Sequence, residues 1–150
     1  MSTMKEQFVS KLFDIVNSRI QEIESEIKET NDSKKNESKS SAGDKYETSR
    51  EMIQQVLNNL ESQLAKYVQM KNDLESINFN LISDNIKVGS LVVTDTAKFL
   101  ISIAIGKIII NNDEIYAISI NSPIGETLKS RKKNDIINFQ NRNIKIIDIQ

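Results

Sequence analysis

The sequence predicts an α+β protein in which an N-terminal antiparallel helical hairpin is followed by a small antiparallel sheet domain. Apolar residues in the first half recur at coiled-coil spacing, whereas those in the second half form short runs rich in Ile and Val. Three of the four glycines and the single proline lie after residue 88. Because such residues favour turns, their distribution marks a change of architecture. We assign residues 1–78 to the hairpin and residues 79–150 to the sheet domain.

The first helix carries an apolar seam whose members are separated alternately by four and three residues, which is the a/d pattern of a coiled coil. The seam consists of Val9, Phe13, Val16, Ile20, Ile23 and Ile27. A second stripe of Phe8, Leu12 and Ile15 widens the apolar face near the N-terminus. This width predicts that the base of the helix packs on more than one partner helix. Residues 31–41 are polar, so the helix either frays there or continues as a solvated extension.

The second helix resumes the seam at a spacing near 3.5 residues. Its members are Ile53, Leu57, Leu60, Leu64, Tyr67 and Leu74. Lys71 interrupts one seam position, where Met70 or Ile77 could take over. Two seams joined by a short polar segment fold most simply into an antiparallel hairpin, with its tip near residues 31–47.

The second half predicts six short strands, since β-branched residues dominate each apolar run. The runs are residues 90–94, 99–105, 107–110, 115–120, 136–139 and 144–149. Residues 111–113, Asn-Asn-Asp, form a hairpin-turn signal between two of them. Residues 122–128 predict one short helix, with Ser122 at the N-cap and Pro123 in the first turn.

Composition excludes several classes of chemistry. The chain has no Cys and no His, so it cannot form disulfides, thiolate metal sites or a Ser-His-Asp triad. Its net charge of −1 argues against binding driven by a wholly basic surface. No apolar run approaches the roughly 18 residues of a membrane span, and the N-terminus lacks the apolar region of a secretory signal. We therefore expect a cytoplasmic protein without a membrane partner.

Two motifs resemble the Gre family of bacterial transcript cleavage factors. At the tip, Gly43-Asp44-x-x-Glu47 is similar to the family's Gly-Asp-x-x-Glu. In the second half, residues 118–125, Ile-Ser-Ile-Asn-Ser-Pro-Ile-Gly, resemble the family's strand followed by Ser-Pro-hydrophobic-Gly/Ala. Residues 133–137 resemble its next turn and strand, with Asn134 in place of a glycine.

The resemblance implies an FKBP-like C-terminal domain and a transcription elongation factor, which is not itself an enzyme. Such a factor binds the RNA polymerase elongation complex through its secondary channel and stimulates cleavage of backtracked RNA. It has no cofactor of its own and shares Mg²⁺ with the polymerase. It meets nascent RNA or DNA only indirectly and has no small-molecule substrate.

The resemblance also assigns residues to roles. Asp44 and Glu47 would be the catalytic and metal-binding carboxylates, supplied in trans within the polymerase complex. Lys39, Lys45 and Tyr46 would make contacts at the tip. The segment that would dock on the polymerase consists of Ser122, Pro123, Ile124 and Gly125.

Other interpretations of these residues remain open. Asp44 would also suit an N-cap, with Glu47 at the N3 position of a capping box. Thr48 and Arg50 depart from the family's motif, which favours an alternative factor that binds the channel without cleavage. A coiled-coil adaptor unrelated to transcription is a further alternative. A basic patch could contact nucleic acid or an acidic polymerase surface, or could be a solvated turn; it consists of Lys129, Arg131, Lys132 and Lys133.

Overall fold

A computed structural model describes residues 3–39 and 43–150, and describes side chains outside residues 37–46. Helices α1 (Met4–Lys39) and α2 (Gly43–Ser76) precede strands β1 (Leu91–Thr94), β2 (Lys98–Ile101), β3 (Gly106–Ile110) and β4 (Asp113–Ile118). The short helix α3 (Pro123–Leu128) and strands β5 (Ile136–Phe139) and β6 (Arg142–Ile149) follow. This order confirms the α+β fold class, with two helices and then a sheet that carries one short helix.

Part of the seam predicted from the heptads is buried, and its remaining members are partly exposed. On α1, Val16 and Ile23 have no solvent exposure. On α2, Leu57 and Leu60 are 4% and 7% exposed. The pairing is antiparallel, because Arg19 Nη2 donates to Gln63 Oε1 over 3.2 Å while Lys34 Nζ donates to Gln54 Oε1 over 2.8 Å. Helix α1 continues through the polar stretch to Lys39, which selects the solvated extension over fraying after Thr30.

Contacts divide the chain into two compact units. One comprises residues Phe13–Asn72 and is formed by the paired helices; the other comprises Met1–Leu12 together with Asp73–Gln150. The start of α1 and the end of α2 therefore belong to the sheet unit. The second apolar stripe explains this division, since Phe8 and Leu12 have no solvent exposure and Leu74 has 1%.

The six strands form one sheet in the order β3-β4-β2-β1-β6-β5. All neighbouring strands are antiparallel except β2 and β4, which pair in parallel with Leu100 opposite Ala117. The expectation of a purely antiparallel sheet is therefore wrong for this pair. Strand β4, and not β3, lies beside β2. The chain reverses direction from β2 to β3 and again from β3 to β4, so β2 and β4 run in the same direction.

Each face of the sheet contributes to a core. One face packs with α3 and with Ile86 from the segment before β1; the buried members are Ile86, Val92, Ile101, Leu128, Ile137, Ile144 and Ile146. On the opposite face Leu91, Leu100 and Ile115 have no solvent exposure. The start of α1 reaches the strands of this unit, since Lys5 Nζ donates to the carbonyl of Gln150 over 3.1 Å and Met4 Sδ lies 3.8 Å from Lys98 Nζ.

Within residues 3–39 and 43–150, no helix combines the length and the apolar composition that crossing a membrane requires.

Candidate functional site

The acidic motif lies in the first turns of α2. Gly43 and Asp44 begin the helix as described, and Glu47 follows three residues after Asp44. Residues three apart on a helix share a face, so positions 44 and 47 lie on one side of α2. The Glu47 side chain is exposed. The side chain of Asp44, like those of Lys39, Lys45 and Tyr46, lies outside the described part of the chain.

The capping alternative stays a prediction. The first described residue of α2, Gly43, directly follows residues 40–42, which lie outside the described part of the chain, and the Asp44 side chain is not described either. A carboxylate in the first turn still interacts favourably with the partial positive charge at the helix N-terminus.

The charges that follow the motif are mixed. Arg50 and Glu51 lie three and four residues after Glu47 and are exposed, as is Thr48. Residues at both spacings share the face of Glu47. The face therefore carries one further cation and one further carboxylate within a turn of Glu47, and Arg50 offsets part of the negative potential of these acids.

The donor set of the motif suits a hard divalent cation. Mg²⁺ takes carboxylate oxygens and keeps several waters, and it is commonly held by one or two carboxylates together with groups of a second molecule. Asp44 and Glu47 would supply two such carboxylates. In residues 3–36 and 47–150, whose side chains are described, no group of three or more acidic residues is placed to hold a metal.

The Ser-Pro-Ile-Gly segment forms the start of α3, and most of its residues make hydrogen bonds or packing contacts within the fold. The Ser122 hydroxyl donates to the carbonyl of Ser119 over 2.6 Å and accepts from the Gly125 N–H over 3.1 Å, so Ser122 is the N-cap. Gly125 is buried, and Ile124 packs against the core of the sheet. Pro123 is the one fully exposed member. The docking role thus stays a prediction, and Pro123 is the side chain most accessible to a partner.

The basic patch lies between α3 and β5. Lys129, Arg131, Lys132 and Lys133 are all exposed. Lys132 and Lys133 also line a surface cavity of about 460 Å³, together with Ser83, Asp84, Asp148 and Ile149. The segment is therefore close to two carboxylates as well as being rich in cations.

The structure reveals two charged residues whose surroundings the sequence interpretation did not anticipate. Burial lowers the pKa of Lys5. The hydrogen bond that Arg19 Nη1 donates to Glu22 Oε2, and then a hydrogen bond to Tyr67, raise the pKa of Arg19. A signal for Lys5 was present, because Phe8 and Leu12 follow it at helical spacings of three and seven residues. For Arg19 the spacing of three residues to Glu22 is visible in the sequence, whereas Tyr67 lies on the other helix.

Comparison of the chain with models of protein families and with curated proteins finds no match.

Proposed function

We propose that this protein is a regulator of transcription elongation that binds RNA polymerase through its secondary channel and stimulates cleavage of backtracked RNA. In this proposal the polymerase remains the enzyme. The hairpin supplies Asp44 and Glu47 to a magnesium ion that the polymerase shares. The compartment that goes with this function is the cytoplasm.

The observation that carries the proposal is the position of the Gly-Asp-x-x-Glu motif at the start of the second helix of a long hairpin. The two helices have 36 and 34 residues. At 1.5 Å per residue the longer one extends about 54 Å. The motif lies at the end where α1 stops and α2 begins, and this end of a rod is the part that can enter a narrow channel.

The chemistry asked of the two acids is modest. A second magnesium ion at a phosphodiester stabilises charge on the attacking and leaving oxygens. Asp44 and Glu47 would help to hold that ion and accept hydrogen bonds from water bound near it. Their spacing on one helix face allows both to act on the same ion.

Arg50 favours a second candidate function, in which the protein occupies the channel without stimulating cleavage. Its side chain is exposed and shares the helix face of Glu47. A cation there competes with a metal ion for the carboxylate. Such a protein would compete with true cleavage factors for the same channel.

A transcript cleavage assay on stalled elongation complexes tests the proposal. Wild-type protein should shorten backtracked RNA from its 3′ end, and the double variant Asp44→Asn with Glu47→Gln should not. A matched control is Glu26→Gln with Glu29→Gln, because these two acids have the same spacing and are both exposed on α1. The control should retain stimulation.

Each outcome distinguishes the candidates. Cleavage that survives the tip substitutions contradicts the metal-delivery role. Binding to polymerase without any stimulation by the wild-type protein supports the non-cleaving regulator. Failure to co-purify with RNA polymerase removes both and leaves an adaptor unrelated to transcription.

A further inference from the structure

We infer that the loop of residues 129–134, here called the basic loop, is a contact surface for the phosphate backbone of nucleic acid. The inference is independent of the proposed function, because it concerns the sheet unit and needs no polymerase. It rests on the hydrogen bonds that fix the loop, on its cations, none of which forms an ion pair among the described residues, and on the chemistry of its other side chains.

The backbone of the basic loop is tied to the core of the sheet unit at two points. Ser130 N donates to the carbonyl of Ile86 over 3.0 Å, and Ile86 N donates to the carbonyl of Arg131 over 2.9 Å. At the other end, Asn134 N donates to the carbonyl of Ile146 over 2.8 Å. Ile86 and Ile146 are buried to 1% and 0% exposure. The loop is therefore held in one conformation by two core residues.

The chain reverses direction at both ends of the loop. Ser130 and Asn134 have φ angles of 65° and 76°, in the left-handed region. The Asp135 carboxylate fixes the segment between them by accepting from Lys132 N over 2.8 Å. This ordering matters because a partner that binds a preorganised loop does not have to supply the entropy of fixing it.

The cations on the loop have no ionic partners among the described residues. None of Lys129, Arg131, Lys132 and Lys133 takes part in an ion pair. Only the Arg131 guanidinium makes a side-chain hydrogen bond, from Nε to the carbonyl of Thr127 over 3.4 Å. In the rest of the chain, acidic residues outnumber basic ones. The loop is thus a local concentration of positive charge on a protein of net charge −1.

The composition of the loop favours phosphate over an acidic protein as the partner. Protein interfaces are enriched in aromatic residues and depleted in Lys, and residues 129–134 contain no aromatic or aliphatic side chain apart from the stems of the basic residues. Phosphate contacts come from Lys and Arg together with Ser and Asn. Ser130 and Asn134 are exposed beside the cations and can serve as such donors.

Two carboxylates near the basic loop lower its affinity for a polyanion. Replacing one of them should raise that affinity, which is the opposite of the effect of removing a cation. Asp84 and Asp148 line the same cavity as Lys132 and Lys133. Asp148 also accepts from Gln150 Nε2 over 3.1 Å. Asp84 is exposed, which makes Asp84→Asn the cleaner substitution. Removing a negative charge beside the loop should strengthen the binding of a polyanion.

The experiment measures binding of the full chain to a fluorescein-labelled DNA duplex of mixed sequence by anisotropy, from 50 to 200 mM NaCl. Four phosphate contacts predict a slope of log K against log salt of about −3.6, and about a hundredfold loss of affinity across this range. The triple variant Lys129→Gln, Lys132→Gln, Lys133→Gln should retain a slope of about −0.9. Asp84→Asn should bind about twofold more tightly at 50 mM NaCl.

A matched control carries Lys11→Gln, Lys28→Gln and Lys66→Gln, since these three lysines are exposed on the helices and the change in net charge is the same. Circular dichroism verifies that each variant is folded. The inference is overturned if the control loses as much affinity as the loop variant, or if affinity is insensitive to salt. It is also overturned if polyglutamate displaces the labelled duplex from the loop as effectively as unlabelled DNA does. That result identifies an acidic protein surface as the partner. If the triple variant does not fold, Asp84→Asn decides, and unchanged or weaker binding contradicts the inference.

Discussion

Gly125 lies so close to Ser119 that a Cβ atom at position 125 would stand 2.3 Å from the Ser119 carbonyl oxygen. The same Cβ would be 2.8 Å from the carbonyl oxygen of Ile120. Both neighbours are backbone atoms of the turn between β4 and α3, so neither can move without disturbing the entry into α3. The glycine of the Ser-Pro-Ile-Gly segment is therefore required by the fold, whatever else the segment does.

Gly125→Ala should destabilise the protein by about 2–4 kcal/mol, since it forces overpacking against backbone. Urea denaturation followed by circular dichroism measures this loss. Gly106→Ala is the matched control, because Gly106 has a φ of 94° but no atom within 4 Å of a built Cβ. It should cost about 1–2 kcal/mol from backbone strain alone. Equal losses in the two variants would contradict the steric argument.

Ser122→Ala should cost about 1 kcal/mol, because it removes the N-cap of α3. Ser122→Thr retains a hydroxyl that can accept from Gly125 N and donate to the Ser119 carbonyl, so it should restore most of the stability. The measurement is the midpoint of urea unfolding for the three proteins. If alanine and threonine behave alike, the hydroxyl does not cap the helix in solution.

Two buried residues of α1 belong to different compact units, and their truncation should have different local effects. Leu12 and Ile23 both have no solvent exposure. Leu12 belongs to the unit that contains the sheet, whereas Ile23 belongs to the unit formed by residues 13–72. Replacing either with Ala should remove about 2–5 kcal/mol of packing energy.

Hydrogen exchange measured by mass spectrometry separates the two effects, because local opening follows local stability. Leu12→Ala should accelerate exchange in β1 and β2, and Ile23→Ala should accelerate it in the central turns of α1 and α2. Val68→Ala is a control, since Val68 is 39% exposed and its truncation should change little. Identical exchange patterns for Leu12→Ala and Ile23→Ala would mean that the two units unfold as one.

Much of this architecture follows from sequence periodicity. Val16, Ile23, Leu57 and Leu60 were placed on the seam by spacing alone, and all four are buried. Most of the strands, and α3, begin and end close to the predicted runs, because turn residues such as Asn111, whose φ is 55°, separate the runs of Ile and Val. The run 99–105 is the exception, since β2 ends at Ile101 and residues 102–105 are not in a strand. Local patterns of this kind depend only on residues near one another in the chain.

What the sequence did not predict depends on residues far apart. Local sequence permits either β3 or β4 to lie beside β2. Only the packing of the whole sheet decides in favour of the parallel pairing of β2 with β4. The hydrogen bond from Lys5 Nζ to the carbonyl of Gln150 joins residues 145 positions apart, so local spacing could not predict it. For the tip, the spacing of Asp44 and Glu47 predicted a shared helix face, and α2 as described contains both positions.

Lys5 gives the protein a stability that depends on pH. Burial lowers its pKa from the ordinary value of 10.5. Between the folded pKa and 10.5 the unfolded chain binds more protons at this site than the folded chain, so stability rises with pH across that window. Lys5→Met removes this contribution, and the stability of the wild-type protein relative to this variant should increase as the pH rises from 8 to 10.5. Lys11→Met is the control, since Lys11 is exposed on the same helix. If the stabilities of wild type and Lys5→Met change with pH in the same way, the buried amine is as easily protonated as a free one.

Arg50 should set how well the acidic tip holds a metal ion. It lies within one helical turn of Glu47, and at such a separation in water each unit of charge alters binding of a cation by about threefold. Arg50→Glu replaces a competing cation with a further carboxylate on the face that already carries Glu47 and Glu51, so it should increase stimulation of transcript cleavage, or create it if the wild-type protein binds polymerase without stimulating. The measurement is the rate of RNA shortening in backtracked complexes at limiting Mg²⁺, where metal affinity controls the rate. Arg142→Glu makes the same charge change at an exposed position in β6 and should leave the rate unaltered. If Arg50→Glu leaves cleavage unchanged while polymerase binding is retained, the tip carboxylates do not act through a metal ion.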